Sequence, residues 1–281
     1  MVERGALEAR GVRLPWGVRT YVMGIVNVTP DSFSGDGTAQ TDRARDRALR
    51  HLADGADLID LGGESTRPGH IPVDEATELA RVLPVVRILR EGMPRALLSI
   101  DTTKPAVARA AADAGADVLN CVQRAPEELL EIAAERGMAF VAMHNQSGTQ
   151  YDGDVVDAVL RVLEDCAQAA LRRGIARERI VLDPGIGFGK TAEQNLQVLR
   201  RLDRVVALGF PTLLGASRKS TLGKLTGREP GERAIATAAT SVLAAAAGID
   251  IVRVHDVAAT CDALRIADAT VREWRPAGWT G

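Results

Sequence analysis

The feature that most constrains the fold is a regular alternation of short β-type apolar runs with longer helix-type segments, from about Tyr21 to the end of the chain. Such alternation is typical of a parallel α/β protein, in which each strand is followed by a helix that covers the sheet. Eight runs can be counted, and eight parallel strands close a (β/α)8 barrel. The predicted strands are residues 21–27, 58–61, 96–101, 118–120, 139–144, 180–183, 212–216 and 249–255.

Local signals agree with this strand count. Thr191 begins a capping box that predicts a helix through Leu202, and Gly115 and Gly137 stand where helices are expected to end. A length of 281 residues permits one barrel or two smaller domains, and no linker or repeat divides the chain. We therefore predict a single α/β barrel domain over residues 21–275, preceded by a short N-terminal arm or hairpin over residues 1–20.

Composition and charge exclude several classes of partner. A formal net charge of -2 offers no basic field for nucleic acid or an anionic membrane surface. The three cysteines are widely spaced, which indicates a reducing compartment and argues against a disulfide frame or structural zinc. The charged N-terminus is unlike a signal peptide, and the most apolar window, residues 234–252, is mostly alanine. We predict a cytoplasmic protein with neither a nucleic-acid nor a membrane partner.

Every predicted strand ends in, or is followed directly by, a polar or charged side chain. In a parallel barrel these ends meet on one face, where the active sites of this fold lie. Carboxylates accept hydrogen bonds from N–H groups and amides both donate and accept, so such a ring suits a flat nitrogen-rich heterocycle, although a sugar would fit nearly as well. The residues are Asn27, Asp60, Asp101, Asn120, His144, Asp183, Ser217 with Lys219, and His255.

Three loops carry more chemistry than simple connections require. Residues 29–37 predict a mobile flap, and in residues 62–69 an arginine between glycines is placed to meet an anion. Residues 217–220 precede a helix near Thr221 and predict an anion site with two cations, Arg218 and Lys219, beside Arg253 and His255.

A fourth loop, residues 183–190, fits neither the G-x-G-x-x-G nor the P-loop pattern, so a nucleotide site is rejected. We expect it to turn tightly at the barrel rim, with Phe188 as an aromatic wall. No metal-binding histidine spacing occurs, which argues against zinc, and His51 is expected on a helix surface.

Five segments together resemble the dihydropteroate synthase family over about residues 21–269. They are N-V-T-P-D-S-F-S (27–34), D-L-G-G-E-S-T-R-P-G (60–69), D-P-G-I-G-F-G-K (183–190), S-R-K-S (217–220) and R-V-H-D-V (253–257). The resemblance implies a (β/α)8 transferase that condenses 6-hydroxymethyl-7,8-dihydropterin diphosphate with p-aminobenzoate and releases pyrophosphate in folate synthesis. It also implies Mg2+, a homodimer formed through outer helices, and a p-aminobenzoate pocket in which sulfonamides compete.

The resemblance assigns roles to individual residues. The pterin ring is expected at Asp101, Asn120, Asp183 and Lys219, with Asp60 near by. The diphosphate is expected at Asn27, Arg253 and His255, with Asn27 also a ligand to Mg2+. The p-aminobenzoate pocket is expected at Thr66, Arg67, Pro68, Phe188 and Ser220. Asp31 and Phe33 of the flap join the catalytic set, and Met143 and Gly215 the substrate-binding set.

The chain departs from the family pattern at several positions. The flap reads Gly35-Asp36-Gly37 where the family has Asp followed by two glycines, which displaces the acid by one place. Cys121 replaces the usual Asp after the pterin-binding Asn, Ile186 replaces Phe, and residues 143–149 differ from the usual Met-His-x-x-Gly form. Two alternatives stay open: a catalytically silent pterin-binding paralogue, and a pterin-dependent methyltransferase, which needs no diphosphate cradle.

Overall fold

Eight parallel strands alternate with helices around a barrel in the computed structural model, which describes residues 4–29, 37–64, 72–123 and 126–280. An antiparallel hairpin, β1 (Ala6–Ala9) and β2 (Val12–Pro15), precedes them. The barrel strands are β3 (Tyr21–Asn27), β4 (Leu58–Gly62), β5 (Leu97–Asp101), β6 (Val118–Cys121), β7 (Ala139–Met143), β8 (Ile180–Asp183), β9 (Leu213–Leu214) and β10 (Ile251–Val254).

Helices follow the strands as the alternation predicts. The helices are α1 (Gly37–Ala53), α2 (Glu75–Gly92), α3 (Pro105–Asp113), α4 (Glu127–Glu135), α5 (Val155–Arg172), α6 (Ala192–Arg200), α7 (Leu202–Val206), α8 (Ser220–Thr226), α9 (Ala234–Ala247) and α10 (Val257–Val271). The strand order is β8-β7-β6-β5-β4-β3-β10-β9, and a bridge between Leu182 and Thr212 joins the two edges. The predicted barrel, its N-terminal hairpin and the Thr191 capping box are confirmed.

The apolar core has two layers, and one end of the barrel remains polar. Alternate strand residues such as Val22 and Val26 face outward and pack with the surrounding helices. Tyr21 and Met23 belong to a second cluster, which includes Leu7 and other hairpin side chains. The hairpin therefore covers the N-terminal end of the barrel with apolar groups, and the carboxyl ends of the strands remain polar.

A buried carboxylate fastens the hairpin region to the barrel. Asp250 is fully buried and receives both terminal nitrogens of Arg4, at 2.8 and 3.0 Å. The backbone N–H groups of Gly17 and Thr212 also donate to it, each at 3.0 Å. One side chain thus joins the N-terminal arm to the segments that precede β9 and β10.

We expect Asp250→Ala to lower the free energy of unfolding by about 3 kcal/mol, because it removes an ion pair and leaves buried N–H groups without an acceptor. Urea denaturation would measure the loss. Asp113→Ala is the control, since the pair that Asp113 forms with Arg136 is exposed and such pairs are worth less than ~1 kcal/mol. Equal losses in the two variants would contradict the anchoring role.

Three details of the sequence-based prediction need correction. β9 covers two residues rather than 212–216, because the chain after Leu214 leaves the barrel wall to line the site described below. β10 is also shorter than predicted, since the backbone N–H of Ile249 bonds to Ala244 at the end of α9. His51 is buried, not on the surface: its ring lies against Gly24, and its Nε2 is 3.1 Å from the Ile25 carbonyl.

The three cysteines are free and buried. Within the described part of the chain, every helix is too short or too polar to cross a bilayer.

Candidate active site

A cluster of buried polar groups lies at the ends of β4, β5, β6 and β10. Arg253 donates through Nε to Asp60 Oδ2 at 2.6 Å and through Nη2 to Asp101 Oδ2 at 2.7 Å. Asp60 also accepts from Ser99 at 2.5 Å and from Asn120 at 3.2 Å. Four strands that are distant in sequence thus bring together two carboxylates, one amide and one guanidinium.

One acceptor in this cluster has no partner. Asp101 Oδ1 is buried without a hydrogen bond to any described residue. Burial raises the pKa of Asp101 to about 7, against the opposing effect of Arg253. Burial alone would lower the pKa of Arg253, but Asp60 and Asp101 hold it above its ordinary value. Arg253 therefore stays charged, while Asp101 changes its charge near neutral pH.

The loop after β8 is held by hydrogen bonds within it and by a buried lysine. Asp183 Oδ1 accepts from the backbone N–H of Gly185 at 2.7 Å, and burial raises the pKa of Asp183. Lys190 Nζ donates to the Gly185 carbonyl at 2.9 Å and to the Phe188 carbonyl at 3.1 Å. It also lies 2.9 Å from Nδ1 of His144, and burial lowers the pKa of Lys190 to about 7. These contacts fix the backbone on both sides of Phe188.

Gly185→Ala is expected to lower the free energy of unfolding by more than ~3 kcal/mol and to distort this loop. Gly185 has φ +68°, and a Cβ there would lie 1.9 Å from the His144 carbonyl oxygen. Thermal denaturation of Gly185→Ala beside Gly174→Ala would test this. Gly174 also has positive φ but no atom near its Cβ position, so its loss should reflect backbone conformation alone. Similar melting temperatures would contradict the clash.

Two cavities open at this end of the barrel. The first, of about 620 Å³, is lined by Asp101, Lys104, Gln123 and Phe188 among others. The second, of about 550 Å³, is lined by Asn27, Gly215, Ser217, Lys219, Arg253 and His255 among others. Gly187 and Ser220 line both cavities, so only a thin wall separates them. The acid cluster reaches both, because Asp101 lines the first and its partner Arg253 lines the second.

Charge in the second cavity is arranged for an anion. Lys219 Nζ lies 4.0 Å from the centre of the Phe188 ring. Ser217 Oγ accepts from the backbone N–H of His255 at 3.1 Å and lies 3.0 Å from its Nδ1. Both cations predicted in residues 217–220, Arg218 and Lys219, line this cavity, and Arg218 also forms a two-point ion pair with Asp256.

The remaining predicted residues divide into two groups. Asn120, Asp183 and Met143 are buried at strand ends. They are absent from the described lining of both cavities. The flap and second-loop predictions lie outside the described residues. These are Asp31, Phe33, Gly35 and Asp36 of the flap, and Thr66, Arg67 and Pro68 of the second loop.

Cys121 and Ile186 are buried in the apolar core between barrel and helices. Burial raises the pKa of the Cys121 thiol to about 12, so this side chain is a neutral packing group. The apolar surroundings of Cys121 accommodate the neutral thiol.

The strand-end pattern missed several polar residues that line the cavities. Lys104 lines the first cavity, where its Nζ contacts Glu64 and lies 2.5 Å from Glu78 Oε2. Glu64 also accepts a hydrogen bond from the backbone N–H of Val73 at 3.3 Å. Lys190 stood within a glycine-rich segment that was interpreted as a turn. Only its position at the end of that segment could have drawn attention to it.

The fit of Mg2+ can be judged from the available donors. Within residues 4–29, 37–64, 72–123 and 126–280, no group of three or more His, Cys, Asp or Glu side chains could hold a metal. Asn27 is exposed at the end of β3 and lines the cationic cavity. Mg2+ keeps several waters and combines one or two protein oxygens with substrate phosphates. Asn27 therefore fits a Mg2+ ion that arrives with a diphosphate, and does not by itself form a resident metal site.

Comparison with known proteins agrees with this geometry. Residues 23–255 match the family model described as "Pterin binding enzyme". Dihydropteroate synthase of Synechocystis is 44% identical over 271 residues, covering 92% of each chain. A Clostridium difficile dihydropteroate synthase solved with pteroic acid is 46% identical with a TM-score of 0.88, covering 92% of this chain and 98% of that one. A Xanthomonas albilineans dihydropteroate synthase solved with 4-aminobenzoic acid is 45% identical, also with a TM-score of 0.88, and the match covers 94% and 97% of the two chains.

The fold and site together define a pterin-binding barrel enzyme. An acid and amide cluster for a nitrogen-rich ring stands beside a cationic cavity at the carboxyl ends of the strands. The chain belongs to the dihydropteroate synthase family, whose members are transferases.

Proposed function

We propose that this chain condenses 6-hydroxymethyl-7,8-dihydropterin diphosphate with p-aminobenzoate, forming 7,8-dihydropteroate and pyrophosphate. One observation supports this most directly: Arg253 connects the buried Asp60–Asp101 pair to a cavity that contains Lys219 and His255. A substrate with a hydrogen-bonding heterocycle at one end and a diphosphate at the other matches that sequence of environments.

The pterin is assigned to Asp101, Asn120, Asp183 and Lys219, with Asp60 behind them. Asp101 supports this role through its unpaired, buried oxygen, which is available to accept from an N–H group of the ring. Asp60 holds Asn120 and Arg253 in place and has little capacity left for a ligand. Its role is therefore to position the residues that meet the substrate.

The diphosphate is assigned to Asn27, Arg253 and His255. The reaction breaks the C–O bond between the pterin methylene and the diphosphate, and the electron pair leaves with pyrophosphate. Cations that surround the departing oxygens stabilise the negative charge that develops there. Mg2+, held through Asn27 and the diphosphate oxygens, would add Lewis-acid stabilisation of the same charge.

The p-aminobenzoate is assigned to Phe188 and Ser220, together with Thr66, Arg67 and Pro68. Phe188 and Ser220 both line the first cavity, which also contains Asp101. The neutral aryl amine forms the new C–N bond to the pterin methylene and then loses a proton. Asp31, Phe33 and Met143 complete the proposed set, and sulfonamides are expected to compete for the same pocket.

Pyrophosphate release by the purified protein would test the function. The assay contains the pterin diphosphate, Mg2+ and p-aminobenzoate, and it is repeated without p-aminobenzoate. Release that requires p-aminobenzoate and is lost in Asp101→Asn and Lys219→Ala is the expected result. Pterin binding without release would instead identify a silent paralogue, and methyl transfer from a folate would favour the methyltransferase alternative.

We expect kcat/KM for the pterin diphosphate to rise between pH 6 and pH 8 with an apparent pKa of about 7. Burial raises the pKa of Asp101 to that value, and only the ionised carboxylate accepts hydrogen bonds with both oxygens. Lys190 titrates in the same range because burial lowers its pKa to about 7. The rise should survive in Lys190→Gln and disappear in Asp101→Asn; the reverse would assign it to Lys190.

A homodimer formed through outer helices is part of the proposal. Ile235 and Leu243 of α9 and Ile266 of α10 are large apolar side chains that are 85%, 63% and 71% exposed, and these two helices pack together. Light scattering on the wild type and on Ile235→Glu would test this surface, with a monomeric variant expected.

We also propose a cytoplasmic location, and a boundary between arm and barrel at residues 20 and 21.

A further inference from the structure

The second cavity is positively charged beyond the residues that the proposed function uses. Five of its lining residues are Lys or Arg, and none of the described residues that line it is Asp or Glu. Two of those cations are already paired: Arg253 with Asp60 and Asp101, and Arg218 with Asp256. Apart from Lys219, the remaining positive charge comes from a different element, α1.

Arg43 and Arg47 supply that charge. They stand four residues apart on α1 and therefore lie on one face of the helix, together with Gln40 and Ala44, and all four line the cavity. Both arginines are exposed, and no described residue forms a hydrogen bond or ion pair with either. Like charges at this spacing destabilise an isolated helix by about 0.2–0.5 kcal/mol, so the pairing of Arg43 with Arg47 does not stabilise α1.

We propose that Arg43 and Arg47 form an outer phosphate-binding rim, which takes the distal phosphate of the pterin diphosphate and holds pyrophosphate after the C–O bond has broken. This inference rests on the proposed function. Arg253 is tied to the acid cluster at the inner end of the substrate, so cations further out are needed for the second phosphate. Guanidinium groups suit this task, because they stay charged and meet phosphate oxygens in pairs.

The test measures Mg2+–pyrophosphate binding by calorimetry for the wild type and for Arg43→Gln/Arg47→Gln. The matched control is Arg45→Gln/Arg50→Gln, which removes the same charge from the same helix at residues that line neither cavity. The rim variant is expected to bind pyrophosphate about tenfold or more weakly than the control. Its KM for the pterin diphosphate should rise by a similar factor and depend less on salt, while KM for p-aminobenzoate stays unchanged.

These readouts separate the inference from the proposed function. Equal pyrophosphate affinity in the rim and control variants would overturn the rim, even if the wild type is fully active. A selective loss of pyrophosphate binding in the rim variant would support the rim even if the wild type shows no turnover. A rise of both KM values together would also overturn the inference, since a general distortion of the site would affect both substrates.

Discussion

Asp101→Asn is expected to lower kcat/KM by about 100-fold or more with little loss of stability. The substitution removes the charge that faces the proposed pterin site and replaces one acceptor oxygen by a donor, and a hydrogen bond to a charged group is worth about 1.5–3 kcal/mol. Asparagine has nearly the same volume as aspartate, and the raised pKa of Asp101 shows that burial already disfavours its charge. The folded state therefore tolerates a neutral side chain better than the reaction does.

Steady-state kinetics with each substrate varied in turn would measure this effect, beside the melting temperature of the same variant. Asp113→Asn is the control, because it removes a carboxylate that is 57% exposed on α3. Asp101→Asn with near wild-type kcat/KM would remove this carboxylate from the proposed pterin site. A large fall in melting temperature would mean that the lost activity reports unfolding.

Arg253→Met is expected to affect both activity and stability. Loss of a cation from the proposed diphosphate site should lower kcat by about 100- to 1,000-fold. Removing one partner from a buried ion pair costs about 3–5 kcal/mol in unfolding free energy, because the other partner stays buried. The two carboxylates that Arg253 bridges are almost fully buried, so this variant would leave Asp60 and Asp101 without the cation that joins them.

The pH dependence of this stability loss has a definite sign. When the pKa of a carboxyl is higher in the folded than in the unfolded chain, the free energy of unfolding falls as pH rises between the two pKa values. In the wild type this loss ends near pH 7, where Asp101 becomes ionised. Without Arg253 the folded-state pKa rises further, so the deficit of Arg253→Met should grow between pH 7 and pH 9 in urea titrations. Arg253→Lys keeps the charge and should show a smaller deficit; a deficit that shrinks with pH would contradict the pairing.

The sequence predicted the barrel because two periodicities alternate along it and because strand ends carry polar groups. That reasoning works for Asp60, Asp101 and Asn120, whose positions follow from strand direction alone. The surface prediction for His51 was wrong, because a polar residue on a helix usually faces water. No pattern in the sequence around His51 shows that Gly24 leaves room for its ring.

Pairing between distant side chains was also beyond the sequence. Arg218 could be predicted to stand beside the anion site, but its commitment to Asp256 depends on how the segment after β10 returns to the loop after β9. Arg43 and Arg47 were missed for a similar reason: their importance depends on which face of α1 lines the cavity, and strand ends give no information about that.

The contact between Arg4 and Asp250, which joins the two ends of the chain, bears on how the chain folds. These residues are 246 positions apart, and β3, which begins at residue 21, pairs with β10, which begins at residue 251. Contacts of such long sequence separation form slowly, because the intervening chain must first be ordered. During synthesis the chain must therefore emerge through β10, which ends at residue 254 of 281, before β3 finds its second neighbour, and until then the β3 edge is open to pairing with other chains.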